Sequence, residues 1–498
     1  MLYTSTRNNS IRVSAAQAIA QGISEEGGLF VPCELPDFSL DKIGSMVEMS
    51  YIERAKTVLK EFLNDFTDEE LDYCVCGAYA KEKFSSEKIA PTVNVNSKEN
   101  ILELWHGPTC AFKDMALQLL PYLMTVSAKK TADGKTIVIL VATSGDTGKA
   151  ALEGFKNVEN TKILVFYPVD GVSPMQKLQM TTQEGDNVAV CAIHGNFDDA
   201  QSAVKSIFTN DDIKAQLADK NMMFSSANSI NWGRLVPQIV YYFSAYCDLI
   251  EQKRINFGDE INVVVPTGNF GNILAAYYAK RMGLPIKKLV CASNSNNVLT
   301  DFINSGKYNK NREFFTTTSP SMDILISSNL ERLLYHMSGD DSALVSSLMS
   351  SLSNSGSYEV SDELIGNIKA LFAAGYADEN SVNATIKEQF EKYGYLCDTH
   401  TAVAVKVYED YVKTSGDDIE TVIDSTASPY KFSKSVLSAI SEDLSGIDDE
   451  FETVDKLNLK TNAQVPEPLK ALKDKEIRFK EVCSKENMSE MVFKLLNL

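Results

Sequence analysis

The sequence predicts an α/β protein whose parallel sheets are covered by helices on both faces. From about residue 101 of the 498-residue chain, short apolar runs rich in β-branched residues alternate with segments of helical periodicity. The predicted strands are residues 136–142, 163–167, 188–193, 261–265, 289–292, 402–407 and 421–424. Strands that are apolar on both faces and are each followed by a helix are typical of parallel sheets. Because ligands bind beyond the carboxyl ends of such strands, we expect the functional motifs there.

The composition is that of an ordinary globular protein with room for two to four domains. Hydrophobic residues make up 44% of the chain, charged residues 23%, and the formal net charge is −19. This acidic balance argues against a nucleic-acid partner, because phosphate backbones attract clustered lysine and arginine. The chain has no 18-residue apolar run and its start has no apolar core, so neither a membrane span nor a signal peptide is expected.

Nine cysteines and four histidines are scattered along the chain without the spacing of metal ligands. Most of the cysteines lie in apolar runs, which indicates reduced core thiols and a cytoplasmic protein. We therefore predict no metal site, and structural roles for the histidines, although His106 and His400 lie in motifs that resemble turns.

Composition and periodicity divide the chain into an N-terminal domain, two sheet domains and a tail. A capped helix at 15–20 and amphipathic helices near 50–63 and 68–82 make the N-terminal unit mainly helical. A polar, turn-rich run at 93–100 suggests its boundary. The predicted units are residues 1–95, a large domain of 96–128 and 225–440, a small α/β domain of 129–224, and a tail of 441–498.

A serine-rich helical insertion is predicted within the large domain, at about residues 310–395. Its long amphipathic pieces fall at 323–350 and 361–373. The tail is charged and ends in a short amphipathic helix at 488–495.

The segment 104–115 presents a lysine in surroundings that favour a neutral amine. Lys113 follows a turn signal at Gly107 and Pro108, and it precedes a segment of helical spacing at 114–124. Apolar walls and the positive end of a helix dipole both lower the pKa of an ammonium group. An amine of this kind can form a Schiff base with a carbonyl cofactor. The alternative is a solvated surface lysine.

The segment 265–272 is predicted to bind a phosphate group. It follows an apolar strand, contains Gly268 and Gly271, and leads into a helix at 273–282. Backbone amides in such a loop point inward, and the helix dipole adds to their field. The loop lacks the first glycine of the dinucleotide fingerprint, and no acidic residue follows at the expected distance. The alternative is a tight turn between strand and helix.

The segment 142–148 has the same order of strand, small polar turn and helix. Two loops suited to anions indicate two negative ligand groups, such as a cofactor phosphate and a substrate carboxylate. Asp146 at the start of the helix 149–155 has the alternative role of a helix cap.

Two further segments hold candidate ligand-binding residues. Asn228, Asn231 and Arg234 combine amides with a natural bidentate partner of phosphate or carboxylate, and an ion-paired arginine is the alternative. Thr426 follows a strand, where its hydroxyl can form a hydrogen bond to a ring nitrogen.

Together these segments resemble the threonine synthase family, in its longer bacterial and fungal branch. The resemblance rests on residues 106–114 (HGPTCAFKD), 143–148 (TSGDTG), 266–272 (PTGNFGN) and 425–427 (STA), and on 3–7 (YTSTR) and 27–32 (GGLFVP). It implies two parallel-sheet domains of the fold type II, tryptophan-synthase-β-like class of pyridoxal phosphate enzymes, plus a mainly helical N-terminal domain. Two positions depart from the family pattern, because Ser428 stands in place of a histidine and Thr399 in place of a proline.

The resemblance also implies roles for individual residues. Lys113 would be the catalytic residue that holds pyridoxal 5'-phosphate as a Schiff base. The other cofactor-binding residues would be Gly268, Asn269, Phe270, Gly271 and Asn272 at the phosphate, Thr426 at the ring nitrogen, and Asp146. The substrate-binding residues would be Thr143, Ser144, Thr147, Asn228, Asn231 and Arg234.

The implied reaction converts O-phospho-L-homoserine and water to L-threonine and phosphate, the last step of threonine biosynthesis. It is a γ-elimination followed by a β-addition, with protons moved by Lys113. The alternative is another lyase of the same fold, either a phospholyase or a threonine/serine dehydratase. A non-catalytic ligand-binding protein of the same fold is a more distant alternative. We expect a monomer or a homodimer.

Overall fold

Helices and strands alternate along most of the chain. The computed structural model describes residues 1–131, 134–143, 145–170, 172–195, 197–441 and 449–498. Its strands are β1 (Tyr3–Ser5), β2 (Asn8–Val13), β3 (Phe30–Pro32), β4 (Thr92–Asn94), β5 (Glu99–Glu103), β6 (Thr136–Ala142), β7 (Thr161–Pro168), β8 (Val188–His194), β9 (Met222–Ser225), β10 (Ile261–Pro266), β11 (Ile286–Ser293), β12 (Lys307–Asn309), β13 (Ser357–Glu359), β14 (Phe372–Tyr376), β15 (Thr421–Ser425) and β16 (Val482–Ser484).

The α-helices cover the sheets and build the N-terminal region. They are α1 (Ala15–Gln21), α2 (Leu40–Ser45), α3 (Tyr51–Phe62), α4 (Asp68–Ala78), α5 (Asp114–Leu117), α6 (Leu120–Thr131), α7 (Asp146–Phe155), α8 (Pro174–Thr181), α9 (Phe197–Thr209), α10 (Asp211–Ala218), α11 (Trp232–Glu251), α12 (Gly271–Arg281), α13 (Val298–Ser305), α14 (Leu330–Met337), α15 (Ser342–Ser355), α16 (Asp362–Leu371), α17 (Glu379–Tyr393), α18 (Thr399–Ser415), α19 (Ser433–Ile440), α20 (Glu450–Thr461), α21 (Glu467–Lys470) and α22 (Met488–Leu496).

The larger sheet has the strand order β14-β11-β10-β15-β5-β4 and is parallel except for β4. Successive side chains of a strand point to opposite faces, so a strand buried on both faces is apolar throughout. In β10, Val263 and Val265 enter one hydrophobic core, whereas Val264 enters a second core on the opposite face. The helix α18 lies against β10, β11, β14 and β15. The predicted parallel sheet is confirmed.

The smaller sheet has the order β16-β8-β7-β6-β9 and is parallel throughout. Its strands show the same alternation, because Ile137 and Ile139 of β6 face one core while Val138 and Leu140 face another. The tail contributes β16 to this sheet, an addition that its sequence did not indicate. The terminal helix α22 matches the predicted amphipathic helix at 488–495.

The N-terminal region is mainly helical, as predicted, with a small antiparallel sheet of β1, β2 and β3. The helices α1, α3 and α4 each begin with a capping box, in which the cap hydroxyl and the third helical side chain each bind a backbone N–H. The region packs through α1 on α6 and through α3 on α11. The polar run at 93–100 forms the turn of the β4–β5 hairpin, so it lies within the larger sheet.

Some predicted elements differ from those in the structure. Residues 402–407 are not a strand but part of α18, which Asp398 caps. A helix buried on most sides has a continuous apolar run, and such a run cannot be distinguished from a strand by periodicity. The predicted helix at 114–124 is divided into α5 and α6, and the piece at 323–350 into α14 and α15. Among the described residues, no helix has the length and apolar character needed to span a membrane.

Candidate active site

The carboxyl ends of the two sheets open onto one cavity of about 190 Å³. Ala142 at the end of β6, Pro266 at the end of β10 and Thr426 after β15 lie on its wall. Most of the predicted site residues line this cavity, namely Lys113, Thr143, Asp146, Thr147, Asn228, Arg234, Gly268, Asn269, Gly271, Asn272 and Thr426. The predicted substrate residue Ser144 lies outside the described residues.

Lys113 is buried at the start of α5, with 9% of its surface exposed. Burial lowers the pKa of its ammonium group to about 8, although the nearby Asp146 opposes this shift. The Nζ atom donates a hydrogen bond to Ser321 Oγ at 3.2 Å and lies 4.0 Å from Asp146 Oδ2. A useful fraction of the amine is therefore neutral near neutral pH, as the sequence predicted from desolvation.

Asp146 is an anion held between two lysines at the start of α7. Its Oδ1 atom lies 2.6 Å from Lys431 Nζ and accepts a hydrogen bond from Gln176 Nε2 at 3.0 Å. Burial would raise the pKa of the carboxyl, but Lys431 and Lys113 hold it well below its usual range. The alternative role of helix cap is filled instead by Thr143, whose hydroxyl oxygen accepts the N–H groups of Gly145 and Gly148.

The turn before α12 presents free backbone donors to the cavity. Phe270 adopts the left-handed conformation, with φ of 65°, and the first hydrogen bond of the helix runs from Leu274 N to Phe270 O. The N–H groups of residues 269–272 precede this bond, and no hydrogen bond within the described part of the chain uses them. The phenyl ring of Phe270 itself is fully buried, so this residue contributes its backbone only.

Two side chains from the helical insertion hold this turn in place. Ser327 Oγ donates to Gly268 O at 2.7 Å, and Asn329 Nδ2 donates to Asn269 O at 3.0 Å. A methyl group added at Gly271 would make ordinary contacts with the side-chain amides of Gln238 and Asn329 at 3.6 and 3.7 Å, so these two side chains pack beside the turn. A fixed turn, free N–H groups and a helix N-terminus together suit a phosphate group.

Thr426 joins the β15 end of the cavity to the segment that carries Lys113. Its carbonyl accepts the N–H of Phe112 at 2.8 Å, and Ala111 pairs with Ala427. The hydroxyl of Thr426 makes no hydrogen bond to any other described residue and is available to a ligand.

Asp424 lies two residues before Thr426 and is fully buried. Burial raises its pKa to about 8, although the hydrogen bond from Tyr242 opposes the shift. The Tyr242 hydroxyl oxygen lies 2.8 Å from Asp424 Oδ2 and 2.9 Å from Asn272 O. One hydroxyl proton cannot serve both acceptors. The bond count therefore agrees with a protonated Asp424 that donates to Tyr242, which in turn donates to the turn of α12.

Arg234 supplies a buried cation that is available to an anionic ligand. Burial lowers its pKa to about 10, and its guanidinium donates to Ala227 O at 2.9 Å. A second contact, to Thr147 Oγ1, is long at 3.5 Å. Over the described ranges no carboxylate forms an ion pair with Arg234, so the alternative of an ion-paired arginine is not supported.

The position of Asn231 does not support the predicted role in substrate binding. It is fully buried and caps α11, with its Oδ1 accepting the N–H of Gly233. Its Nδ2 donates to Ile19 O and Ser226 O. Both polar atoms of this side chain therefore have protein partners: the oxygen caps α11, and the amide nitrogen binds Ser226 just before α11 and Ile19 of the N-terminal region.

Sequence reasoning missed two groups beside Lys113 and left a third open. Ser321 lies in the short 3-10 helix Pro320–Met322 of the insertion, within a serine- and threonine-rich run that gave no signal. Lys431 is completely buried although it follows a turn motif in the sequence. His400 receives the Ser321 N–H on Nε2 at 3.2 Å and pairs through Nδ1 with Asp398 at 2.7 Å, so it fixes the Ser321 turn.

Comparison with known families assigns three consecutive matches to this chain. Residues 2–79 match the model described as "Threonine synthase N terminus". Residues 101–423 match "Pyridoxal-phosphate dependent enzyme", and residues 401–492 match "Threonine synthase, C-terminal".

Curated relatives carry related descriptions. The chain is 42% identical over 435 residues to "Threonine synthase-like 1" of Pongo abelii, which covers 85% of this chain. It spans only 58% of the length of that relative. It is 38% identical over 438 residues to the threonine synthase of Pseudomonas aeruginosa, with 88% of this chain and 90% of that protein covered.

Two solved structures are similar to this chain over nearly its whole length. The structure of a pyridoxal-phosphate-bound threonine synthase from Brucella melitensis has a TM-score of 0.87 and 37% identity, and it covers 99% of both chains. The yeast threonine synthase has a TM-score of 0.88 and 32% identity, with 100% of this chain and 99% of that one covered.

Proposed function

Because this chain belongs to the threonine synthase family of pyridoxal-phosphate-dependent enzymes, we propose that it catalyses the threonine synthase reaction. In this reaction O-phospho-L-homoserine and water give L-threonine and phosphate. The observation that carries the proposal is the position of the buried Lys113 amine on the same small cavity as the phosphate-ready turn of α12. The two alternatives, a solvated surface lysine and an ordinary tight turn, do not predict that these two groups line the same cavity.

The residues on the cavity wall fit pyridoxal 5'-phosphate. Lys113 would hold the cofactor covalently as a Schiff base, the N–H groups of Gly268–Asn272 would bind its phosphate, and Thr426 would face its ring nitrogen. When bound, the cofactor supplies a carbonyl carbon for the substrate amine and an electron-withdrawing ring that stabilises negative charge at the substrate Cα. A neutral hydroxyl at the ring nitrogen would leave that nitrogen less protonated than a carboxylate would. The ring would therefore withdraw electrons from the substrate less strongly.

Lys113 is the group that moves protons on the substrate. Its amine, once released, removes the Cα proton and takes part in the later proton transfers between Cα, Cβ and Cγ. A pKa of about 8 suits this work, because the amine is then both available as a base and able to return the proton near neutral pH.

Arg234 and its neighbours would bind the substrate phosphate. Loss of phosphate from Cγ places negative charge on the leaving oxygen, and a preorganised guanidinium stabilises that charge without prior rearrangement. Thr143, Thr147 and Asn228 line the same cavity and would hold the remaining polar groups of the substrate. Water then adds at Cβ, and the atoms balance to one threonine and one phosphate.

The test is a product assay on the enzyme loaded with pyridoxal phosphate. We expect equal amounts of phosphate and L-threonine from O-phospho-L-homoserine, no turnover by Lys113→Ala, and full turnover by a control variant of the exposed Lys129, Lys129→Ala. The amino-acid and 2-oxo-acid products are both quantified.

The alternative lyases give different results in the same assay. A phospholyase would release 2-oxobutanoate, ammonia and phosphate in place of threonine. A dehydratase removes a β-hydroxyl, which O-phospho-L-homoserine lacks, so it would be active only when L-threonine or L-serine is supplied instead, and it would then release a 2-oxo acid and ammonia without phosphate. A protein without catalytic function would give neither product, and turnover that survives Lys113→Ala would contradict the proposed role of that residue.

Three broader properties belong to the same proposal. We place the enzyme in the cytoplasm, which its nine free cysteines support because oxidising compartments favour disulfides. We retain the division into residues 1–95, 96–128 with 225–440, 129–224, and 441–498, although β4 pairs with β5 in the larger sheet and β16 of the tail pairs with β8 in the smaller sheet. We expect a monomer or a homodimer, which light scattering of the purified protein would measure.

A further inference from the structure

A second lysine lies beside the catalytic one, and the proposed reaction does not use it. Lys431 lies in the 3-10 helix Pro429–Phe432, which follows β15, and its side chain is completely buried. Its Nζ atom donates to Asp146 Oδ1 at 2.6 Å and to Thr109 O at 3.0 Å. Burying a charged lysine costs free energy unless a partner neutralises it, and here the partner is Asp146. The pair must therefore serve either the fold or the function.

The pairing decides which lysine Asp146 neutralises. Asp146 lies 2.6 Å from Lys431 but 4.0 Å from Lys113, and Ser321 Oγ stands between Asp146 and Lys113 at 3.4 and 3.2 Å. The carboxylate charge is therefore matched first by Lys431. Lys113 is left in a buried position where its closest hydrogen-bond partner is a neutral hydroxyl.

The other charged groups that face Lys113 do not change this balance. Arg234 and Lys431 both disfavour a charge on Lys113, whereas Asp146 and the more distant Asp114 favour it. Burial raises the pKa of Asp114 to about 7, and its two oxygens are bound by the Thr109 N–H and hydroxyl at 2.8 Å each. Asp146 is thus the carboxylate that would stabilise a positive charge on Lys113 if Lys431 did not neutralise it.

We propose that Lys431 is a positioning residue that neutralises Asp146, so that the Lys113 amine stays uncharged and able to react with the cofactor carbonyl. The inference rests on the proposed role of Lys113 in holding pyridoxal phosphate. It does not depend on which substrate the enzyme takes.

The experiment measures the ionisation of Lys113 in the apoenzyme. The rate constant for covalent capture of pyridoxal 5'-phosphate is measured between pH 6 and pH 10. The pH at which this rate constant is half-maximal, called the midpoint, reports the ionisation of the Lys113 amine. Modification of Lys113 by an amine-reactive reagent, located by mass spectrometry, gives the same midpoint without the cofactor. Circular dichroism checks that each variant is folded.

We expect Lys431→Met to raise the midpoint by at least about one pH unit, which slows capture at pH 7 about tenfold. The matched control is Lys434→Met, which removes an exposed lysine three residues later and should leave the midpoint unchanged. Lys431→Arg keeps the charge and should also keep the midpoint near that of the native enzyme. The double variant Lys431→Met with Asp146→Asn should return the midpoint to the native value or below it.

A folded Lys431→Met variant with a native midpoint would overturn the inference, and so would a double variant that behaves like the single one. If Lys431→Met does not fold, Asp146→Asn carries the test alone. Its midpoint must then lie below the native one, because Lys431 would act on Lys113 without a carboxylate to neutralise it. An Asp146→Asn midpoint equal to the native one overturns the inference. If the midpoints do not shift, the role of Lys431 is wrong but the proposed threonine synthase reaction is unaffected. If the enzyme instead takes another substrate, the predicted midpoint shifts are unaffected.

Discussion

Asp424 provides a direct test of how burial sets the charge of a group behind the active site. Its carboxyl is fully buried, one of its oxygens has no hydrogen-bond partner among the described residues, and the other faces Tyr242. The change to test is Asp424→Asn. The amide has nearly the same shape, and its Nδ2 can donate to Tyr242 as the protonated acid does. We expect this variant to be more stable than the native protein at neutral pH.

The size of the stability gain follows from the difference between the pKa of the Asp424 carboxyl in the folded protein and its pKa in the unfolded chain. Burial raises the pKa of Asp424 from 3.8 to about 8. An unfolded chain would release this proton above pH 3.8, so the buried acid lowers the free energy of unfolding increasingly as the pH rises from 3.8 to 8. At about 1.4 kcal/mol per pH unit the cost reaches about 4 kcal/mol at pH 7. An asparagine carries no such cost.

The assay is urea unfolding followed by circular dichroism at pH 5, 6, 7 and 8, with pyridoxal phosphate kept saturating. The gain in stability of Asp424→Asn over the native protein should be small at pH 5 and larger by about 3 kcal/mol at pH 7. Asp418→Asn, which changes an exposed acid just before the same strand, should shift stability by less than about 0.5 kcal/mol. A variant that is less stable at pH 7, or a gain that does not change with pH, would refute the assignment of a protonated Asp424.

Two further predictions concern the anion sites. Arg234→Ala should lower kcat/KM for O-phospho-L-homoserine about 100-fold at saturating pyridoxal phosphate, because it removes the cation that we propose for the leaving phosphate. Equal activity of the variant, measured by phosphate release, would contradict that role. Gly268→Ala should weaken pyridoxal phosphate binding at least about tenfold, since its new methyl carbon would lie 2.6 Å from Ser321 O and push the turn away from the insertion. The control Gly366→Ala adds a methyl group to open space on α16, so its affinity in a fluorescence titration should match the native protein.

The parallel sheets could be predicted because their strands are apolar on both faces, and only burial on both faces explains such strands. The run at 402–407 has the same composition and was assigned to the wrong element, because α18 is also buried on most sides. The edge strand β16 has only three residues, too few to show a period of two, and β14 has the sequence FAAGY, whose small residues carry little strand signal. Their pairing is decided by tertiary contacts that no local pattern contains.

Parts of the candidate site could be predicted where residue types in the sequence indicate the backbone geometry. Glycines, a preceding strand and a following helix identified the α12 turn, and the family motifs identified Lys113. The buried partners of these groups were not predictable, since a lysine such as Lys431 or a serine such as Ser321 has no sequence pattern that signals burial. Asn231 shows that one residue type fits two roles, because the same amide that can bind a ligand can also cap a helix, and the structure shows Asn231 as the cap of α11.

The remaining question is how a chain with a net charge of −19 could bind the two phosphate groups that we propose for one cavity. At physiological ionic strength, exposed charges are screened over about 8 Å, so the acidic surface acts only weakly on a buried site. On the cavity wall, Asp146 is already matched by Lys431. Behind the wall, burial raises the pKa values of Asp114 and Asp424 to about 7 and about 8. Arg234 is then left as an unmatched cation, and the free N–H groups of the α12 turn add partial positive charge. The cavity is therefore locally positive inside an acidic protein, and the charge pairing of Asp146 is what keeps it so.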